Sequence, residues 1–109
     1  MKYLCLVYLD EKRLGELPDE DCVAYDTTIR GSGQCIASEA LQSVHTASTV
    51  RVRNGKLAVT DGPFAETREH LGGYYVIDVP DLDAVLRYAA QVPAALYGTV
   101  EVRPLMDYN

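Results

Sequence analysis

The chain has 109 residues, 48% of them hydrophobic, and a formal net charge of −6 at pH 7. That is the size of one domain, residues 1–109, with a core large enough to do without disulfide or metal staples. The ten basic residues are scattered, with only Arg51, Arg53 and Lys56 grouped; this excludes the basic stripe of a nucleic-acid binder, and no apolar run approaches the ~20 residues of a membrane helix.

Tyr3 to Leu9 is apolar on both alternating sets, Tyr3, Cys5, Val7 and Leu9 against Leu4, Leu6 and Tyr8. A strand of that kind is central and covered twice. Acidic residues follow it where a cleaved signal would carry small ones, so the reading is a strand in a cytoplasmic protein. Next, LPDEDCVAYDTTIRGSG predicts a helix: Pro18 and the acids Asp19, Glu20 and Asp21 suit its start, Cys22, Tyr25 and Ile29 share a face, and Gly31 or Gly33 suits its end. QCIASEAL predicts a strand ending near Glu39. In TVRVRNGKLAVTDG, Asn54-Gly55 predicts a two-residue type I′ hairpin. Counting outward pairs Val52 with Leu57 and Val50 with Val59 on one face, Arg51 with Ala58 on the other, and Arg53 with Lys56 at the tip.

GYYVIDV predicts a further strand, and Asp81 is placed to cap the helix DLDAVLRYAAQV, whose Leu82, Val85, Leu86 and Ala89 form an amphipathic stripe ended by Pro93. GTVEVRPL is the last strand, with Val100 and Val102 on one face and Glu101 and Arg103 on the other. Tyr108 either docks on a partner copy or frays. Cys5, Cys22 and Cys35 include no CxxC pair and are odd in number, which suits buried thiols in a reducing compartment.

The order β-α-β, hairpin, β-α-β predicts an α+β, ferredoxin-like antiparallel sheet with two helices on one face and an inserted β-hairpin. Two helices cover one face only. The doubly apolar first strand therefore predicts a homodimer whose sheets pack face to face.

The stretch DGPFAETREHLGGYY, Asp61 to Tyr75, carries the densest chemistry. One reading makes it a turn: Asp61 bonds its own backbone, Pro63 leads into a helical turn from Ala65 to His70, and Gly72-Gly73 lets the chain leave. The other reading starts from residues such a turn does not need. Asp61, Glu66 and Glu39 are candidate catalytic carboxylates; Arg51, Arg68 and Arg103 are candidate clamps for an anionic substrate; Tyr8 and Tyr74 are candidate cleft walls that raise a carboxylate pKa. Glu101 and Arg103, two apart on one strand face, equally suit a structural pair. Glu66 and His70 at i, i+4, with His45 elsewhere, are too few for a metal site, and neither GxGxxG nor GxxxxGK[ST] occurs. No cofactor is expected.

DGPFAETREHLGGYYVIDV, preceded by SEAL and TVRVRNGKLAVTDG and followed by YGTVEVRP, resembles the DGPF subgroup of the YCII-related family from about Cys35 to the C-terminus, and the first strand agrees. The resemblance implies a ferredoxin-like fold of the dimeric α/β-barrel type, a fold shared by isomerases, lyases, dehydrohalogenases and oxygenases. Genes of the DGPF type often neighbour sigma factors of the extracytoplasmic type, which implies a regulatory setting. The first helix is shorter than that family's, because Gly31-Ser32-Gly33 arrives early, and this bears on the size of any ligand. Two readings stand beside each other: an enzyme of isomerase or lyase type moving a proton on an anionic organic molecule, and a non-catalytic ligand-sensing module with a regulatory protein partner.

Overall fold

A computed structural model describes residues 1–107; Tyr108 lies outside the described residues. Six strands and two helices occur in the order β1 Lys2–Leu9, α1 Asp19–Gly31, β2 Cys35–Ala40, β3 Ser48–Arg53, β4 Lys56–Asp61, β5 His70–Asp78, α2 Leu82–Ala90 and β6 Thr99–Pro104. Short 3-10 turns sit at Glu11–Glu16, Val44–Thr46 and Pro93–Leu96. The main sheet has the order β2-β5-β1-β6, all antiparallel, and β3-β4 form a separate two-stranded ribbon. This is the ferredoxin-like α+β arrangement that the order of elements predicts.

One face of the sheet is the core. Tyr3, Cys5, Val7 and Leu9 of β1 and Ile77 of β5 pack under Tyr25 and Ile29 of α1 and Val85 of α2. Burial of these aliphatic and aromatic groups at roughly 1.5–3 kcal/mol each is the main term holding the helices down. The same burial pushes the Cys5 thiol up to about 11, aided by the nearby Cys35, so Cys5 behaves as a small hydrophobe. All three cysteines are free thiols.

α1 starts behind Pro18 with Asp19, Glu20 and Asp21 in its first turn, where acidic groups meet the unsatisfied N–H groups and the positive end of the helix dipole. α2 is capped as its sequence predicts: the Asp81 side chain accepts a hydrogen bond from the Ala84 N–H. Its buried face is rotated from the expected stripe. Val85 and Ala89 are buried, but Leu82 and Leu86 are exposed, and Ala84 and Tyr88 flank the core in their place. Tyr88 fixes that rotation, since its hydroxyl bonds Gln34 and its carbonyl accepts the Tyr25 hydroxyl at 3.0 Å.

The β3-β4 ribbon has the predicted register, with Val52 opposite Leu57, Val50 opposite Val59, Arg51 opposite Ala58 and Arg53 opposite Lys56. Asn54 and Gly55 turn it with φ of 53° and 74°, as a type I′ turn requires. The segment after it differs from expectation. Residues 64–69 form no helical turn, and His70 already belongs to β5. A stretch that short gains too few backbone bonds to nucleate a helix, and the Thr67 hydroxyl instead donates to the Glu69 carbonyl at 2.7 Å. With the helical turn goes the shared face of Glu66 and His70. The Gly72-Gly73 pair is likewise strand, not an exit.

Gly98 marks the tightest approach in the fold: a Cβ there would run into the backbone carbonyl of Tyr8. Gly98→Ala is expected to cost about 1–3 kcal/mol, the usual range for overpacking a site that cannot yield, whereas Gly15→Ala, with open space around it, is expected to leave the urea midpoint almost unchanged. Equal midpoints for the two variants would contradict the placement of β6 against β1.

Candidate functional site

α1 does not lie flat on the edge strands. Between it, the 3-10 turn at Glu11–Glu16, residues 41–43 and the β2-β5 pair runs a cleft of about 560 Å³. Its walls are apolar where Val7, Leu9, Leu17, Val92 and Pro93 line it. Its floor is Gly72-Gly73, and Gly73 has no alternative, because a Cβ there would sit 2.9 Å from the Glu39 carbonyl oxygen.

One helix stripe supplies part of the polar lining of this cleft, beside Glu11, Ser38, Ser43 and His70 from other elements. Cys22, Asp26 and Arg30, at i, i+4 and i+8, all line it, one above another on the helix. Asp26 Oδ1 accepts the Tyr75 hydroxyl at 2.9 Å. Arg30 Nη2 donates to Ser38 Oγ at 2.9 Å and to the Ser38 carbonyl at 3.2 Å, satisfying the one buried polar side chain of the described core. The Tyr75 ring meets Tyr25 edge to face at 5.5 Å and 83°, a favourable geometry that fixes its hydroxyl. Burial, and then the bond to Asp26, pushes the Tyr75 phenol well above its ordinary value. Burial, and then the Asp26 charge, also raises the Cys22 thiol. Both groups therefore hold their protons near neutrality, and the Asp26 carboxyl accepts the hydrogen bond of the Tyr75 hydroxyl.

Glu11 ties the mouth of the cleft. One of its carboxylate oxygens accepts the Val44 N–H at 2.6 Å, and the other accepts the Ser43 hydroxyl at 2.9 Å. The backbone bond holds its carboxyl below the usual carboxylate range, and the Ser43 bond together with His45 and His70 pushes the same way against some desolvation.

A second hollow of about 580 Å³ lies on the other side of His70 and Leu71, between the root of the ribbon and residues 63–69. Tyr8, Pro63, Phe64, Ala65, Ser48 and Thr49 are among its lining residues. Leu41, Gln42 and Ser43 also border both hollows.

The residues singled out in the sequence do not converge on one place. Glu39 and Tyr74 are cross-strand neighbours on the β2-β5 pair that border the first cleft, and by strand alternation they belong to the open sheet face with Leu6. Tyr8 lines the second hollow. Arg51 and Asp61 sit on the exposed ribbon, on opposite faces of it by strand alternation. Glu66 and Arg68 are exposed in the loop, and Arg103 is exposed on β6 opposite Leu4. Within one chain, Asp61, Glu66, Arg51, Arg68 and Arg103 line neither hollow. Asp26, Arg30 and Ser38 were not singled out. Their signal was present: Asp26 and Arg30 directly follow the buried Tyr25 and Ile29, and so border the core stripe of the helix.

A model of the YCII-related domain matches residues 1–109, and the chain belongs to that family. An uncharacterized protein of Rhizobium meliloti (strain 1021) is 36% identical over 118 aligned positions, covering 100% of this chain and 95% of that protein. Among solved structures, 5-chloro-2-hydroxyhydroquinone dehydrochlorinase (TftG) from Burkholderia phenoliruptrix AC1100, in complex with 2,5-dihydroxybenzoquinone, superposes with a TM-score of 0.60 over 97% of this chain and 94% of its own. At 13% identity that likeness is one of fold. Among the described residues no helix is long and apolar enough to cross a membrane.

The Glu11 clasp has a pH signature. A carboxylate whose folded pKa is depressed keeps its bonds above that value and loses them as pH falls through it. The Val44 amide resonance is expected to titrate with Glu11, with a midpoint below the ordinary ~4.3 of a free glutamate. In Glu11→Gln that step is expected to vanish from the Val44 amide. A midpoint at or above the ordinary value would contradict the clasp.

Proposed function

We propose that the chain forms a homodimer and carries out acid–base chemistry of isomerase or lyase type on a small, hydroxylated, anionic organic substrate held in the cleft under α1. The observation that carries this reading is the Asp26–Tyr75 pair, set one helical turn from Arg30 on the wall of a cleft with apolar patches at Val7, Leu9, Leu17, Val92 and Pro93. A base must sit within bonding reach of the proton it removes, in surroundings that keep water away. An arginine one turn along is placed to hold an anionic oxygen with its fork of donors. Arg30 has no carboxylate within ion-pair distance among the described residues, so its charge is left for a ligand.

In this scheme Asp26 takes a proton from an acidic O–H or C–H of the substrate. The electron pair released forms a new double bond. It is balanced either by a leaving group departing with its own pair, which is elimination, or by return of the proton at another atom, which is isomerisation. Tyr75 keeps its proton throughout and positions Asp26. Glu39, on the open sheet face beside Tyr74, enters the chemistry only from that side. Asp61, Glu66, Arg51, Arg68 and Arg103 enter the chemistry only where a partner copy brings them to a cleft. The dimer is supported by the open face of the sheet, where Leu4, Leu6, Tyr8, Tyr74 and Val76 remain only half-buried in one chain.

A second reading keeps the cleft and drops turnover, making the protein a ligand sensor acting on a regulatory partner such as a sigma factor. It is favoured by Phe64, which stands 78% exposed in the DGPF segment, the kind of ring that marks a contact with another protein.

The two ligands that name the structural neighbour separate these readings. With 2,5-dihydroxybenzoquinone as the binding probe and 5-chloro-2-hydroxyhydroquinone as the substrate probe, wild-type protein is expected to bind the first saturably and release chloride from the second. Asp26→Asn is expected to bind but to turn over about 10²–10⁴-fold more slowly, the usual contribution of a general base, and Tyr75→Phe to lose less. Full turnover in Asp26→Asn would sink the assignment. Saturable binding without turnover in the wild type would move the conclusion to the sensor.

A further inference from the structure

We infer that the β3-β4 ribbon is an arm that lays its aliphatic face on the body of a second copy of this chain. The inference rests on the homodimer proposed above and adds to it a second contact, separate from the sheet face.

The ribbon cannot be at rest as it stands in one chain. Every residue from Ser48 to Asp61 except Thr49 is exposed. Val50, Val52, Leu57 and Val59 lie together on one face and are 59–69% exposed. Two strands alone are marginal in water, and both strands of this ribbon are edges. At its root the Gly62 N–H donates to the Ala47 carbonyl at 2.6 Å and the Thr49 hydroxyl to the Gly62 carbonyl at 2.7 Å, bonds that close the base of the ribbon on itself and not on the body of the chain. Six-residue strands carry it about 20 Å outward. The result is a flat molecule of 45 × 42 × 19 Å with a radius of gyration of 15.7 Å, against about 13 Å for a compact domain of this length.

Charge selects the occupant. The ribbon, Ser48 to Asp61, carries Arg51, Arg53 and Lys56 against one acid, Asp61, a net of +2. The other residues carry seven basic groups against fifteen acidic ones, a net of −8 within the −6 of the chain. A positive arm on a negative body is attracted to the body of another copy and steered toward it. Arg51, Arg53 and Lys56 lie on the ribbon face opposite the aliphatic one, so they steer the arm at long range without entering the contact, while two arms meeting tip to tip would crowd six like charges; the aliphatic face therefore goes to the partner's body and not to the partner's arm. Position agrees with charge: the root residues Ser48 and Thr49 line the same hollow as Tyr8, at the end of the open sheet face, so arm and sheet face form one continuous surface.

The test is the dimer dissociation constant by sedimentation, on the full chain. Three variants are compared: Val52→Asp with Leu57→Asp, a charge reversal of Arg51, Arg53 and Lys56 to Glu, and Leu6→Asp on the sheet face. Each arm variant is expected to weaken the dimer by about tenfold or more, with the thermal midpoint of the separated chains unchanged, because the arm does not touch its own core. The charge reversal is expected to be partly relieved by salt, as screening removes the new repulsion. A wild-type dimer that neither arm variant weakens overturns the arm; if Leu6→Asp still splits that dimer, the sheet-face dimer stands without it. A wild-type chain that stays monomeric at about 100 μM, where an interface of ordinary size would be filled, overturns both.

Discussion

A four-stranded sheet has two faces, and this chain owns helices for one of them. β1 runs through the middle of that sheet with apolar side chains on both sides, Tyr3, Cys5, Val7 and Leu9 toward the helices and Leu4, Leu6 and Tyr8 away from them. The first set is buried and the second is not. Most other features can be traced to this imbalance. Both helices crowd one side, which creates the space under α1. The opposite side keeps apolar surface in contact with water, which is a standing free-energy cost and the physical motive for the dimer proposed above.

The cleft exists because three local requirements coincide. Gly73 lets the Glu39 carbonyl come close to β5, so the sheet is thin there. Ser38, buried in β2, needs a donor, and Arg30 supplies it by reaching back from the last turn of α1. Tyr75 is stacked against Tyr25 and aimed at Asp26. Each contact serves the fold. Together they leave a carboxyl and a guanidinium on the wall of a partly apolar hollow, so a structural network and a binding site use the same atoms. Removing either partner would leave a polar group unmatched at the edge of the core, which costs more than the bond itself contributes.

What could be read from the sequence followed from how local each cause was. The ribbon was legible to the residue because Asn54-Gly55 fixes the turn and alternation fixes the register. The Asp81 cap was legible for the same reason. Strand order, and two helices on one face, followed from the succession of elements. The segment after Asp61 was not legible: its glycine pair answers to a carbonyl on another strand, and no local pattern reports that. The rotation of α2 away from Leu82 and Leu86 has its cause in Gln34 and Tyr25, far along the chain. Attention in the site went to acids near glycine and proline, where polar residues are conspicuous. Asp26 and Arg30 sit in a plain helix and are conspicuous only by bordering Tyr25 and Ile29.

The cleft also constrains which chemistry it can support. Cys22 stands one turn from Asp26 on the same stripe, and a thiol near a carboxylate has the outline of a nucleophile with its base. The electrostatics run against it. A reactive thiolate needs positive charge or a helix N-terminus beside it, and Cys22 has burial with Asp26, Asp19 and Asp21 around it, all of which raise its pKa. Arg30, at the far end of the stripe, is the group able to hold negative charge there. A site with an acceptor, a donor that keeps its proton and a fixed cation suits proton transfer on an anion. It does not suit covalent catalysis through sulfur.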